Sequence, residues 1–185
     1  MLVHPTLSGA GQILLGLLAA VAAVFDIRYR RIPNWLVLAG IVAGLLWNTS
    51  VSGWSGLLLS LAGFGLGFVL YLPLYLIRAR GAGDVKLLAA AGAITGPGNI
   101  FLICILTAIL GGIIALIVLL IYGRLRKTLF NIGWMLQDLT HLRAPYKSTE
   151  ELDVTTAKGM RLPHGAMIAV GVIAFIFLAT HGVTI

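Results

Sequence analysis

The feature that most narrows what this chain can fold into is the confinement of its charges. Every Lys, Arg, Asp and Glu lies in one of three clusters, beginning at Asp26, Arg78 and Arg124, and the stretches between them are long, apolar and punctuated by glycine. With 59% hydrophobic and 10% charged residues, and a mean hydropathy of +1.03, the chain lacks the polar surface of a soluble domain and needs lipid around it. A backbone in lipid must satisfy its own hydrogen bonds, as a helix or a closed barrel. The apolar runs here are continuous rather than alternating over about ten residues, which selects helices. The fold class expected is therefore all-α, a polytopic membrane helix bundle.

Glycine, proline and polar breaks divide the apolar sequence into six expected spans, at 13–25, 35–47, 55–77, 84–94, 99–122 and from 163 or 164 to 180. The fourth is short for a bilayer, which predicts that its neighbours shield it. Gly56, Ser60, Gly63 and Gly67 recur at helical spacing and predict a face for close helix packing, with docking of a substrate helix as one use of it. Gly111-Gly112 suggests a close contact or bend. In 124–162, Leu125, Leu129, Ile132, Leu136 and Leu139 recur at steps of four and three beside basic residues, as in an amphipathic interfacial helix. Residues 1–185 read as a single membrane-embedded domain containing this loop. With six spans all three charged clusters fall on one side, and the opposite loops and both tails carry no Lys, Arg, Asp or Glu. The positive-inside rule makes the charged side cytoplasmic and puts both termini outside. The expected location is a cell (inner) membrane, with multiple passes.

Two acids stand out at the ends of spans. Asp84 follows Gly81-Ala82-Gly83, where the two glycines suggest either a turn or room for another backbone to approach, and Asp26 closes the first span. Asp26 ends a span descending to the charged side and Asp84 starts one rising from it, so both lie at the same depth. Ionisable groups at membrane depth mark function. Adjacent carboxyls suit peptide hydrolysis: like charges oppose the second ionisation, so one acid can activate water while the other polarises the carbonyl and supports the departing amine. Asp84, at a helix start, is the better choice for the initial base. Bland readings are a pairing of Asp26 with Arg28 or Arg30, Asp84 and Asn34 as helix caps, and Lys86 as a snorkelling anchor.

Cys104 is the single cysteine, and His4, His141, His164 and His181 lack the pairing of helical zinc motifs, so no metal or other cofactor is expected. The net charge of +7 reads as a topology signal, not as a nucleic-acid interface. The first residues carry no basic cluster ahead of the apolar segment, so a cleavable signal peptide is not expected.

Gly81-Ala82-Gly83-Asp84 with Lys86-Leu87 resembles the GxGD signature of intramembrane aspartic proteases. Together with Asp26 and Arg31-Ile32-Pro33-Asn34, it is similar to the prepilin peptidase family, the type IV prepilin and preflagellin leader peptidases, in the short form found in tight-adherence pilus systems. The resemblance implies an aspartic endopeptidase that removes the basic leader of pilin-like precursors at the cytoplasmic face, with Asp26 and Asp84 as the catalytic pair. Gly81, Gly83, Lys86 and Asn34 would bind substrate or support the site. Glu150, Glu151 and Asp153 could draw in the leader, against a default reading as a solvated loop. Longer family members N-methylate the new amino terminus and carry paired CxxC motifs. With Cys104 alone and a short stretch before the first span, methyltransferase activity is not expected here. The alternatives are a small ion- or proton-coupled transporter and a non-catalytic assembly factor. The particular precursor, the system it serves and the oligomeric state are left open.

Overall fold

The computed structural model describes residues 7–77, 80–123 and 163–181, and among these all regular structure is helical. The four elements are α1 (Gly9–Tyr29), α2 (Asn34–Leu76), α3 (Ala82–Ile121) and α4 (His164–Thr180). Three of them, α1, α2 and α3, are long and apolar enough to cross a membrane, while α4 is apolar but only 17 residues long. The expected amphipathic helix in 124–162, the acidic cluster Glu150, Glu151 and Asp153, and Trp134 lie outside the described residues.

The spans expected at 35–47 and 55–77 lie together in α2, and those at 84–94 and 99–122 in α3, each element being two helices that meet at a kink. The breaks are real at the level of the backbone. Gly53 (φ 56, ψ −135) and Gly96 (φ 77, ψ 174) leave helical geometry in the left-handed half of conformational space, where a Cβ would be strained. Gly96 is followed by Pro97, which cannot donate to the preceding turn. Both breaks fall in the stretches where turn residues predict them.

At Gly53 the helix folds back on itself. The Ser60 hydroxyl lies 3.1 Å from the Gly44 carbonyl oxygen, whereas sixteen residues of straight helix would separate them by about 24 Å. Gly96 acts likewise: Tyr71 lies within electrostatic range of both Asp84 and Cys104, although a straight helix would hold those two about 30 Å apart. Arms 34–52 and 54–76 of α2 thus form one hairpin, and arms 82–95 and 97–121 of α3 form another.

The hairpins interlock through the small-residue face. A Cβ on Gly63 would collide with the Gly92 carbonyl oxygen, one on Gly92 with the Gly63 carbonyl oxygen, and one on Gly67 with the Leu88 carbonyl oxygen. Backbones this close leave no space between them for a third helix, so the docking role offered for the Gly56 to Gly67 face is corrected: α3 and the other arm of α2 already occupy it. The same packing shields the short arm of α3, in which Val85, Leu87, Leu88, Ala89, Ala90, Ala91, Ala93 and Ile94 are all buried. Gly111 makes an ordinary contact with Met167 and Gly112 meets nothing within 4 Å, so the close-contact reading holds there only weakly.

Breaking α3 at Gly96 strands the carbonyls of the turn before it, which is costly away from water. Side chains from α2 satisfy them. Asn48 Nδ2 lies 3.1 Å from the carbonyl oxygens of both Ala93 and Ile94, and the Ser60 hydroxyl donates to Ala93 at 2.7 Å. On the outside, Ile13, Leu17, Leu38, Leu46, Leu58, Val69, Ile109 and Ile173 are exposed around the bundle, the surface expected of a protein solvated by acyl chains.

Candidate active site

Asp26 and Asp84 reach the site on different helices, and each is only 9% exposed. Asp26 lies in the last turn of α1, where the aligned carbonyl dipoles repel an anion. Another helix compensates: the Gly165 amide donates to Asp26 Oδ2 at 2.7 Å. Gly165 is in the first turn of α4, whose N-cap Pro163 supplies no side-chain bond, so its amide has no partner within the helix. The Asp26 carboxylate therefore caps α4 from a distant part of the chain.

Asp84 occupies the third position of α3. Its amide donates to the Gly81 carbonyl oxygen at 3.2 Å, and its carboxyl lies beside Gly81, where an added Cβ would stand 3.9 Å from Oδ2. The reading of Asp84 as the N-cap is thus corrected by three residues: Gly81 is the cap and Asp84 is the third helical residue. Among the described residues, the charged groups within electrostatic range of the Asp84 carboxyl are Asp26 and Arg80.

The supporting residues fall around this pair in different ways. Lys86 Nζ donates to Asn34 Oδ1 at 3.1 Å, tying the start of α3 to the start of α2. Asn34 does not cap, since it is already the first helical residue and Pro33 holds the cap position. Gly83 packs against Ile32, with 3.4 Å between an added Cβ and the Ile32 Cβ. Gly81 has φ −77, ψ 151, which any residue adopts, and an added Cβ would meet nothing closer than Asp84 Oδ2 at 3.9 Å. Neither glycine has positive φ, so the conformational freedom expected of them is not what they are used for. Arg28 lies over the Tyr29 ring, 5.9 Å from its centroid.

Residues 13–116, more than half of the chain, match the type IV leader peptidase family. The chain belongs to that family. It is also 36% identical over 132 residues to a prepilin leader peptidase/N-methyltransferase of Legionella pneumophila, a match covering 66% of this chain and 46% of that protein. The chain thus spans about half the length of the curated relative it matches. No solved structure matches it. Membership of the leader peptidase family implies an aspartic peptidase in a membrane, and the matched region contains both Asp26 and Asp84.

Sequence reasoning missed three residues around these two acids. Tyr71 is 4% exposed, and its hydroxyl hydrogen-bonds His164 Nε2 at 3.1 Å, with the rings stacked at 5.7 Å and 29°. Gly165, next to His164, is so close to Asp26 that an added Cβ would sit 3.1 Å from Oδ2. The available signal was Pro163-His164-Gly165 at the head of an apolar span, a polar side chain and a bare backbone at the depth of the acids. Arg80, read as a topology signal, also has a field that reaches Tyr71 and His164 as well as Asp84.

Proposed function

We propose that this chain is a membrane aspartic endopeptidase that removes the basic leader from type IV pilin-like precursors at the cytoplasmic membrane face, with Asp26 and Asp84 as its catalytic pair. The observation that supports this reading most is the placement of two buried carboxyls, from separate helices, with the field of one reaching the other. Such acids resist being ionised together, so one is available to take a proton from water while the other donates to the scissile carbonyl. The neutral acid then supports protonation of the departing nitrogen. The pair titrates jointly, and neither role is fixed to one residue.

The substrate's apolar helix would lie in the bilayer with its cleavage segment extended beside Gly81, where an unobstructed backbone adjoins Asp84. Lys86 and Asn34 would hold the α3 start in register with the α1–α2 loop. In this reading α2 and α3 each cross the membrane twice, which with α1 and α4 makes six crossings, both termini outside and the charged clusters in the cytoplasm. The proposal is confined to peptide hydrolysis.

The test is reconstitution with a pilin-like precursor carrying a basic leader, a glycine and an apolar helix. Asp26→Asn and Asp84→Asn should each lower the cleavage rate by about 10²–10⁴-fold, the range of a lost general acid or base. Undiminished cleavage by either variant removes that residue from the pair.

A further inference from the structure

Asp26 is a buried acid beside an exposed helix end. It lies in the last turn of α1, and the residues after it, Ile27 and Tyr29, are about 60% exposed. What fixes its carboxylate is the Gly165 amide, and that amide can hold the acid only if the first turn of α4 is itself held. Among the described residues no side chain caps that turn locally, since Pro163 makes no side-chain cap bond, and the body of α4 packs along α1 and α3. At the head of α4 a tie to α2 is added by the Tyr71–His164 hydrogen bond and ring stack.

We propose that Tyr71 and His164 are positioning residues: by tying the head of α4 to the end of α2, they hold the Gly165 amide against Asp26 and so set how that carboxylate faces Asp84. The links are short. Tyr71 is one helical turn from Gly67, where an added Cβ would collide with the Leu88 carbonyl, and Leu88 is one turn from Asp84. On the other side His164 adjoins Gly165, which bonds Asp26 directly. A path of single turns and hydrogen bonds thus joins one carboxylate to the other through α4, α2 and α3. Tyr71 and His164 act through Gly165, and the absence of a side chain at 165 is what admits the carboxylate, since an added Cβ would stand 3.1 Å from both Cβ and Oδ2 of Asp26.

The activity readout for this inference rests on the peptidase reading above; the clamp itself has a second readout, hydrogen exchange at the Gly165 amide of the full chain in lipid nanodiscs. Tyr71→Phe keeps the ring stack and removes only the hydroxyl. It should lower kcat for the precursor by about 10- to 100-fold, as expected when a reacting group is misplaced by about 1 Å, with KM unchanged within about twofold. Exchange at Gly165 should rise by at least about tenfold, since a helix-end amide that loses its partner opens locally. His164→Leu, which removes the ring stack as well, should lose at least as much as Tyr71→Phe, and His164→Gln, which can still bond the Tyr71 hydroxyl, should recover a large part of that loss. The double variant Tyr71→Phe/His164→Leu should be no worse than His164→Leu alone, because that substitution already removes the hydrogen bond that Tyr71→Phe removes.

An unchanged kcat or unchanged Gly165 exchange in Tyr71→Phe overturns the proposal, as does a loss confined to KM. If Tyr71→Phe does not fold, the contrast between His164→Leu and His164→Gln decides the matter by the same criteria. A wild type that cleaves no precursor, yet shows the exchange response, leaves the clamp standing and removes the peptidase reading. A wild type that cleaves and depends on both acids, with Tyr71→Phe indistinguishable from it, does the reverse.

Discussion

At the scale of single residues, the acids and glycines of the site differ in how far the sequence could explain them. The spacing of Asp84 behind two glycines and the end-of-span position of Asp26 were legible, since an ionisable group beside an apolar run is conspicuous. The use of the glycines was not, because a turn and an open approach leave the same letters. The structure separates the two at Gly81, where backbone geometry is ordinary and the surroundings are open. Gly81→Ala should therefore leave thermal stability unchanged while raising KM for the precursor about tenfold, the scale of one added methyl in a close fit at about 1–3 kcal/mol. An unaltered KM would show that no substrate backbone passes there. Gly165 was illegible for another reason: its contribution is a backbone amide meeting an acid 139 residues away.

Among the elements, the breaks at Gly53 and Gly96 turn two very long helices into hairpins, and turn residues announced both. What the sequence did not reveal is how the break in α3 is tolerated. Asn48 looked like part of a polar turn, yet its amide serves the carbonyls of Ala93 and Ile94, and Ser60 completes the arrangement while fully buried. A polar residue in a turn carries no mark of which distant carbonyl it will meet. Ser60→Ala removes a buried donor to Ala93 and the acceptor for Asn48 Nδ2, which predicts a loss of about 1–3 kcal/mol. Denaturation in detergent micelles measures it, with Ser50→Ala as the control, since Ser50 is exposed and bonds only locally to Trp47. Equal stability of the two variants would show that the carbonyls before Gly96 find other partners.

For the whole molecule, the interlocked hairpins and the segregation of charge give one arrangement in a bilayer. Asp26 and the start of α3 are joined through α4 and α2 at one end, while the breaks at Gly53 and Gly96 lie next to each other's hairpin at the other, with Asn48 bridging them. If each hairpin enters and leaves on the charged side, Ser52 and Thr180 face the exterior and Arg31 faces the cytoplasm; all three are exposed. Single-cysteine variants Ser52→Cys, Thr180→Cys and Arg31→Cys, each in a Cys104→Ala background, make this measurable. A membrane-impermeant thiol reagent added to intact cells should label the first two and spare the third, and opening the membrane should make Arg31→Cys reactive. Labelling of Arg31→Cys in intact cells would invert the molecule and put the two acids on the side where a basic leader does not reside. Protection of Ser52→Cys alone would mean that the α2 hairpin stops short of the far face, leaving fewer than six crossings. The two failures bear on different claims: the first removes the cytoplasmic site, and the second changes only how deeply the bundle that holds the acids is inserted.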